Sequence, residues 1–141
     1  MSGERLIGGW RLAGWDIVSA DGRVTHPFGP APEGMILYTP DGHMSALIAE
    51  AGRKPLSAAS MKTAPEAERA DAFASFFAYG GTWRVEGDDV IHVVTTALNP
   101  AFVGTEQRRR MAFDGTGLTL SADEPDGRGG SRRHAIRWRK G

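Results

Sequence analysis

The stretch "GMILYTPDGHMSALIAE", Gly34 to Glu50, sets two apolar runs on either side of an Asp41-Gly42 pair. Asp-Gly between apolar runs is a strong hairpin signal, because a type I′ turn needs positive φ at both central positions. A two-residue loop pairs Thr39 with Met44, Leu37 with Ala46 and Met35 with Ile48 on one face. Tyr38, His43 and Ser45 then share the other face, with His43 near the rim.

The same punctuation recurs on both sides of this hairpin. "GGWRLAGWDIVSADG" alternates so that Trp10, Leu12, Gly14 and Asp16 share one face and Arg11, Ala13, Trp15 and Ile17 the other, and it ends at Asp21-Gly22. "RVTHPFGPAPEG" is too rich in Pro and Gly to be regular and reads as a loop over one end, with Phe28 as a loop anchor or a lid residue. "GTWRVEGDDVIHVVTTA" gives two strands about Gly87-Asp88-Asp89, and "LNPAFVG" is a Pro-containing connection. "TEQRRRMAFDGTGLTLSA" gives two more strands about Asp114-Gly115, and "SRRHAIRWRKG" is a last strand after the polar loop "DEPDGRGG". One helix is predicted, over residues 65–79: Pro65 suits its first position, Glu66 and Glu68 its positive end, and Gly80-Gly81 its stop. Ala70, Phe73, Ala74 and Phe77 make an apolar stripe that plugs or flanks the sheet, or else meets a partner.

Eight to nine short strands joined mainly by hairpins imply a mainly β chain, an up-and-down antiparallel meander whose closure into a barrel removes exposed edges. The 141 residues, with no internal repeat or composition break, fit one domain spanning 1–141. Nineteen Gly and eight Pro suit many turns, and 40% hydrophobic residues argue against disorder. The absence of Cys rules out a disulfide framework, a thiolate nucleophile and Cys-ligated zinc, and fits a reducing compartment. Lys plus Arg equals Asp plus Glu at 17 each, without the basic surplus of a nucleic-acid binder. The N-terminus has no basic segment followed by an apolar run, and no stretch reaches about 18 consecutive apolar residues. The expectation is a cytoplasmic protein with neither nucleic-acid nor membrane partners.

Four blocks taken in order, "GGWRL", "GMILYTPDGHMSALI", "YGGTWRVEGDDVIHVV" and "GTEQRRRMAF...GLTLSA...IRWRK", resemble the bacterial and fungal lipocalin-like domain family of the calycin superfamily. The resemblance spans nearly the whole chain. It implies that Trp10 plugs a closed barrel end and that a basic residue of the last strand, Arg137 or Arg139, lies across it by cation–π contact. The chain departs from secreted lipocalins in lacking a disulfide and a signal peptide and in placing its helix inside the strand order. Those departures argue against extracellular transport.

Candidate chemistry follows from strand parity. In "TEQRRRMAF", Thr105 to Phe113, inward Met111 and Phe113 place Arg109 and Gln107 on the same inner face and send Arg108 and Arg110 to solvent. A guanidinium turned inward keeps its proton and needs a match: Glu106, Asp16 or another acid, a set of carbonyls, or an anionic ligand. His92 in "VIHVV" is a neutral imidazole if it shares an interior face with Val90 and Val94, fit to orient a ligand carbonyl, to act as acid or base, or to serve structure alone. Its parity stays open, since Ile91 and Val93 are equally apolar. Tyr38, Tyr79, Trp83, Trp138, Met35, Met44 and Met111 supply large apolar surface for a cavity, with Tyr38, Met44, Trp83, Met111 and Trp138 as apolar ligand contacts. Arg108, Arg110, Arg132, Arg133, Arg137 and Arg139 form either a basic strip or an ordinary solvated surface.

The histidines, His26, His43, His92 and His134, show no ligand spacing, so no metal is expected, and "YGGTW" lacks the features of a phosphate loop, so no cofactor is expected. Three functions remain. The barrel binds a small, mainly hydrophobic molecule bearing a carboxylate or carbonyl, with Arg109, Gln107 and His92 as polar contacts. It is instead a cofactor-independent isomerase, cyclase or lyase using His92 and Arg109. Or it is a filled barrel serving as an interaction or homodimerisation module.

Overall fold

The computed structural model describes residues 2–141. Helix α1 (Ser2–Leu6) precedes strands β1 (Gly8–Val18), β2 (Val24–Thr25), β3 (Glu33–Tyr38) and β4 (His43–Ala49). Helix α2 (Glu66–Ala74) leads into β5 (Phe76–Glu86) and β6 (Asp89–Ala97), and a 3₁₀ turn (Pro100–Phe102) precedes β7 (Glu106–Asp114), β8 (Gly117–Pro125) and β9 (Ser131–Lys140). Neighbouring strands pair antiparallel in the order β2-β1-β3-β4-β5-β6-β7-β8-β9, and β1 also pairs with β9. That last pairing closes β1 and β3–β9 into an eight-stranded barrel, the mainly β meander expected, with two-residue β2 as a flap on β1. None of the helices among the described residues is long and apolar enough to cross a membrane.

The barrel has two unlike ends. At one, the short connections 39–42, 87–88 and 115–116 turn β3 into β4, β5 into β6 and β7 into β8, and α1 tucks in beside them. Leu6 is wholly buried there, and Trp10 Nε1 donates to the Leu6 carbonyl at 2.8 Å. The basic side chain over Trp10 is Lys140, its Nζ 4.6 Å from the ring centroid, and not Arg137 or Arg139 as the resemblance implied. Arg137 pairs with Asp16 on the outer wall instead. At the other end lie the long connections 19–32, 50–75, 98–105 and 126–130.

Three sequence expectations are corrected. The β3–β4 loop has three residues, not two: Thr39 N–H donates to His43 O at 2.9 Å, and Gly42 N–H to Thr39 O at 3.1 Å. Pro40 fixes its own φ near the value a type I turn needs, Asp41 keeps negative φ, and Gly42 alone goes positive at 94°. The register therefore slips by one, pairing Tyr38 with Met44 and Ile36 with Ala46. A one-residue slip exchanges faces: Tyr38 turns inward, while Met35 and Leu37 turn out, 47% and 42% exposed.

In β1, a bulge between Leu12 and Gly14 breaks the alternation, so Trp15, opposite Ile136, faces in and Asp16 faces out to Arg137. Finally, helix α2 stops at Ala74, and none of its residues is buried; Phe73 is 50% exposed. Phe76 to Tyr79 pair with Ala49 to Ala46 instead of extending the helix, because without them β4 would be left with a bare edge. Gly80-Gly81 is a β-bulge rather than a helix stop, and a Cβ on Gly81 would overlap the Val93 carbonyl oxygen.

Candidate functional site

Strands β6 and β7 position the polar interior. His92 faces inward with Val90 and Val94 and is 1% exposed. Ile91 is as deeply buried yet lies on the outer wall, flanked in register by the long side chains of Arg84 on β5 and Arg108 on β7. Both faces of β6 are thus apolar, which is why alternation could not decide the facing of His92.

The arginine triplet divides as its alternation predicts. On the outer wall, Arg108 reaches Glu86 at 2.7 Å and Asp89 at 2.9 Å, and Arg110 reaches Asp89 at 2.6 Å. Arg132, Arg133 and Arg137 likewise meet Glu124, Asp123 and Asp16, so the basic strip is largely neutralised by interleaved acids. Inside, Arg109 donates Nη1 to the Arg108 carbonyl at 3.1 Å and Nη2 to Gln107 Oε1 at 3.3 Å. Gln107 in turn donates Nε2 to Thr105 Oγ1 at 2.8 Å.

The internal ion pair considered for Arg109 does not form: no ion pair among the described residues includes it. Glu106 has the parity of Arg108 and meets Arg84 outside at 3.0 Å. Asp16 was carried outside by the bulge in β1. An inward guanidinium therefore rests on two neutral acceptors, and a cation in that position is the group an anion would match.

His92 is held on both sides. Its Nε2 lies 2.6 Å from the Tyr38 hydroxyl and its Nδ1 2.6 Å from the Tyr79 hydroxyl. Burial pushes the imidazole pKa down to about 3, with the Arg109 charge acting in the same direction, so the ring is neutral at physiological pH. Burial pushes Tyr79 up to about 12 and holds Tyr38 well above the usual phenol range, so both phenols keep their protons. The sequence offers Tyr79 as apolar cavity lining but not as a partner of His92, because its segment reads as helix. Alternation back from Gly80 along a β5 begun at Phe76 is the signal that would have found it.

The structure brings Tyr38, His92, Gln107 and Arg109 together. Met44, Met111 and Trp138 belong instead to the packed core around them, and Trp83 to the tight-turn end, where its Nε1 donates to the Thr39 carbonyl at 3.1 Å. Trp138 Nε1 is buried without a hydrogen-bond partner. His43 lies on the exposed turn beside Asp41 as expected, and among the described residues no three His, Asp or Glu gather as a metal site.

Towards the long-loop end the polar group meets a ring of partly buried aromatics. Phe28 stands edge-on to Trp15 at 5.1 Å, and Phe102 lies edge-on to Phe77 at 5.5 Å and tilted against Tyr79 at 5.4 Å. Phe28 and Phe102 ride on connections and Trp15, Phe77 and Tyr79 on strands. Trp15 Nε1 also donates to His134 Nδ1 at 3.1 Å, and His134 Nε2 meets Glu124 at 2.8 Å. Outside the wall, a cleft of about 550 Å³ lies between residues 50–56 and α2, and one of about 320 Å³ between Ser19–Arg23 and Asp126–Arg132.

Among solved structures, the chain is similar to EF1p2_mFAP2b bound to DFHBI, with 12% identity, a TM-score of 0.46, and 98% of this chain and 95% of that one covered. It is also similar to a mutant of the fluorescent protein UnaG, with 13% identity, a TM-score of 0.42, and 97% and 96% covered. No curated protein matches the sequence. The model of the lipocalin-like domain matches residues 7–141, the closed barrel with its tight-turn plug included, and the chain belongs to the lipocalin-like domain family.

Proposed function

We propose that the barrel binds one small, mainly apolar molecule carrying a carboxylate, in the half of the interior between Arg109 and the aromatic ring. The observation that carries this reading is the inward Arg109, which joins no ion pair among the described residues, in the same triplet whose outer members are both paired. A guanidinium offers five donors in a fixed fork, and Gln107 and the Arg108 carbonyl use only two of them. A ligand carboxylate takes the remainder as a charge-assisted pair, while Trp15, Phe28, Phe77 and Phe102 cover its apolar body. Access is by displacement of Phe28 and Phe102, the two rings carried on connections.

Binding is favoured over catalysis by His92. Both imidazole nitrogens are engaged by tyrosines, and a ring titrating near 3 is a weak base at neutral pH. Native mass spectrometry of the purified protein, before and after incubation with decanoate, tests the proposal. The expected result is a one-to-one adduct in the wild type that Arg109→Met loses. Unmodified protein mass alone in every wild-type spectrum contradicts it.

A further inference from the structure

A neutral imidazole has one N–H and one lone pair, and His92 spends both on tyrosines. One tyrosine must donate to the ring and the other must accept from it. The accepting tyrosine keeps its own hydroxyl proton, and neither hydroxyl has any other hydrogen-bond partner among the described residues. The chain Tyr38–His92–Tyr79 therefore carries one phenolic proton more than it can place. Both side chains are buried, where an unplaced donor has no water to take it and is destabilising.

The ring's tautomer decides where that proton stands. With the proton on Nε2, Tyr38 accepts and its own hydroxyl is spare; with it on Nδ1, Tyr79 accepts and Tyr79 is spare. The two sites differ. Tyr38, 1% exposed, packs edge-on to Trp83 at 5.3 Å at the tight-turn end. Tyr79, 6% exposed, touches Phe77 and Phe102 of the aromatic ring at the long-loop end. Both phenols feel the Arg109 charge, but Tyr79 is the one of the two that touches the aromatic ring where the ligand body is placed.

We propose that His92 is the Nδ1–H tautomer and acts as a positioning residue: it accepts from Tyr38, donates to Tyr79, and so turns the Tyr79 hydroxyl proton toward the ligand beside Arg109. The inference rests on the carboxylate-binding reading and sharpens it, naming Tyr79 as a specificity-determining contact. Tyr79 O–H and the Arg109 guanidinium are both donors, so the head group must be acceptor-only. A carboxylate meets both, whereas a primary amine of the same chain length presents protons to protons and is excluded.

The test is imidazole ¹⁵N NMR of the wild-type protein at pH 7, free and with decanoate, together with decanoate and decylamine affinities for Tyr79→Phe and Tyr38→Phe. The expected spectrum places the proton on Nδ1, and decanoate sharpens that signal. Loss of one charge-assisted hydrogen bond should make the affinity loss for Tyr79→Phe exceed that for Tyr38→Phe by about tenfold. A proton on Nε2 in both states, or a larger loss in Tyr38→Phe, overturns the tautomer assignment even where decanoate binds through Arg109. Absence of decanoate binding contradicts the carboxylate reading itself, and the free-protein spectrum still decides the tautomer. Equal binding of decylamine overturns the donor-only head-group site.

Discussion

The two faces of β7 handle the same residue type in opposite ways. Outside, Arg108 and Arg110 join Arg84, Glu86, Asp89 and Glu106 in a ladder where every charge has a partner and all but Asp89 are well exposed. Inside, Arg109 has two neutral acceptors, and the nearby tyrosines and histidine share one spare proton. Exposed pairs are cheap to make and cheap to lose, because solvent replaces them. His92, Tyr38 and Tyr79 are buried away from such replacement and Arg109 is half-buried beside them, so unmet valences there are stronger and more specific than on the outer wall. The outer face thus carries an ion-pair ladder across β5, β6 and β7, and the inner face the unmet valences on which the proposed recognition rests.

The largest effect on that contrast is expected from His92→Ala, which empties a buried volume and strands two tyrosine hydroxyls. A loss of roughly 3 kcal/mol or more should appear in urea unfolding. A loss no larger than that of an exposed substitution would mean that the inner network is solvated.

Acid gives the next largest effect. Folded His92 stays neutral down to about pH 3, whereas the unfolded residue takes a proton near 6.5. Its contribution is complete above pH 6.5 and falls as pH drops towards 3, by about 1.4 kcal/mol per unit once the unfolded side chain is protonated. The outer carboxylates Glu86, Asp89 and Glu106, held low by their arginines, lose their contribution only as pH falls through the ordinary carboxylate range and below. Between pH 6.5 and 5 the slope belongs to the inner face, and His92→Gln should flatten it in urea unfolding followed across that window.

Much of this contrast could be read from the sequence. Three consecutive arginines before Met-Ala-Phe give the parity of β7 outright, because a period of two cannot send Arg108 and Arg109 the same way. Where local turn chemistry overrides periodicity, the reading fails. Pro40 selects a three-residue loop over the type I′ turn suggested by Asp41-Gly42 and brings Tyr38 inside. A bulge at Ala13-Gly14 turns Trp15 in and Asp16 out, and nothing in the alternation announces it. Phe77 fits a helical stripe with Ala70, Phe73 and Ala74 as well as a strand face with Tyr79, and only the partner strands decide. Lys140 takes the place of Arg137 or Arg139 because parity past Trp138 puts it, one turn of pleat later, over Trp10.

Smaller effects complete the series. Arg109→Met, which replaces an interior charge by an apolar chain, should leave the ligand-free protein unchanged or more stable by about 1 kcal/mol in urea unfolding. Arg108→Ala should shift the urea midpoint least of all, and high salt should erase the difference from wild type. If Arg108→Ala proved the more damaging of the two, the roles assigned to the two faces would be reversed.

The central claim is that Arg109 awaits an anion within the barrel. Isothermal titration of decanoate into the wild type and into Arg109→Met at pH 7 tests it most directly. The account predicts one site in the wild type and an affinity lower by at least about tenfold in the variant, the loss of a charge-assisted bond. Equal affinities in the two proteins, or heat in neither, would contradict it.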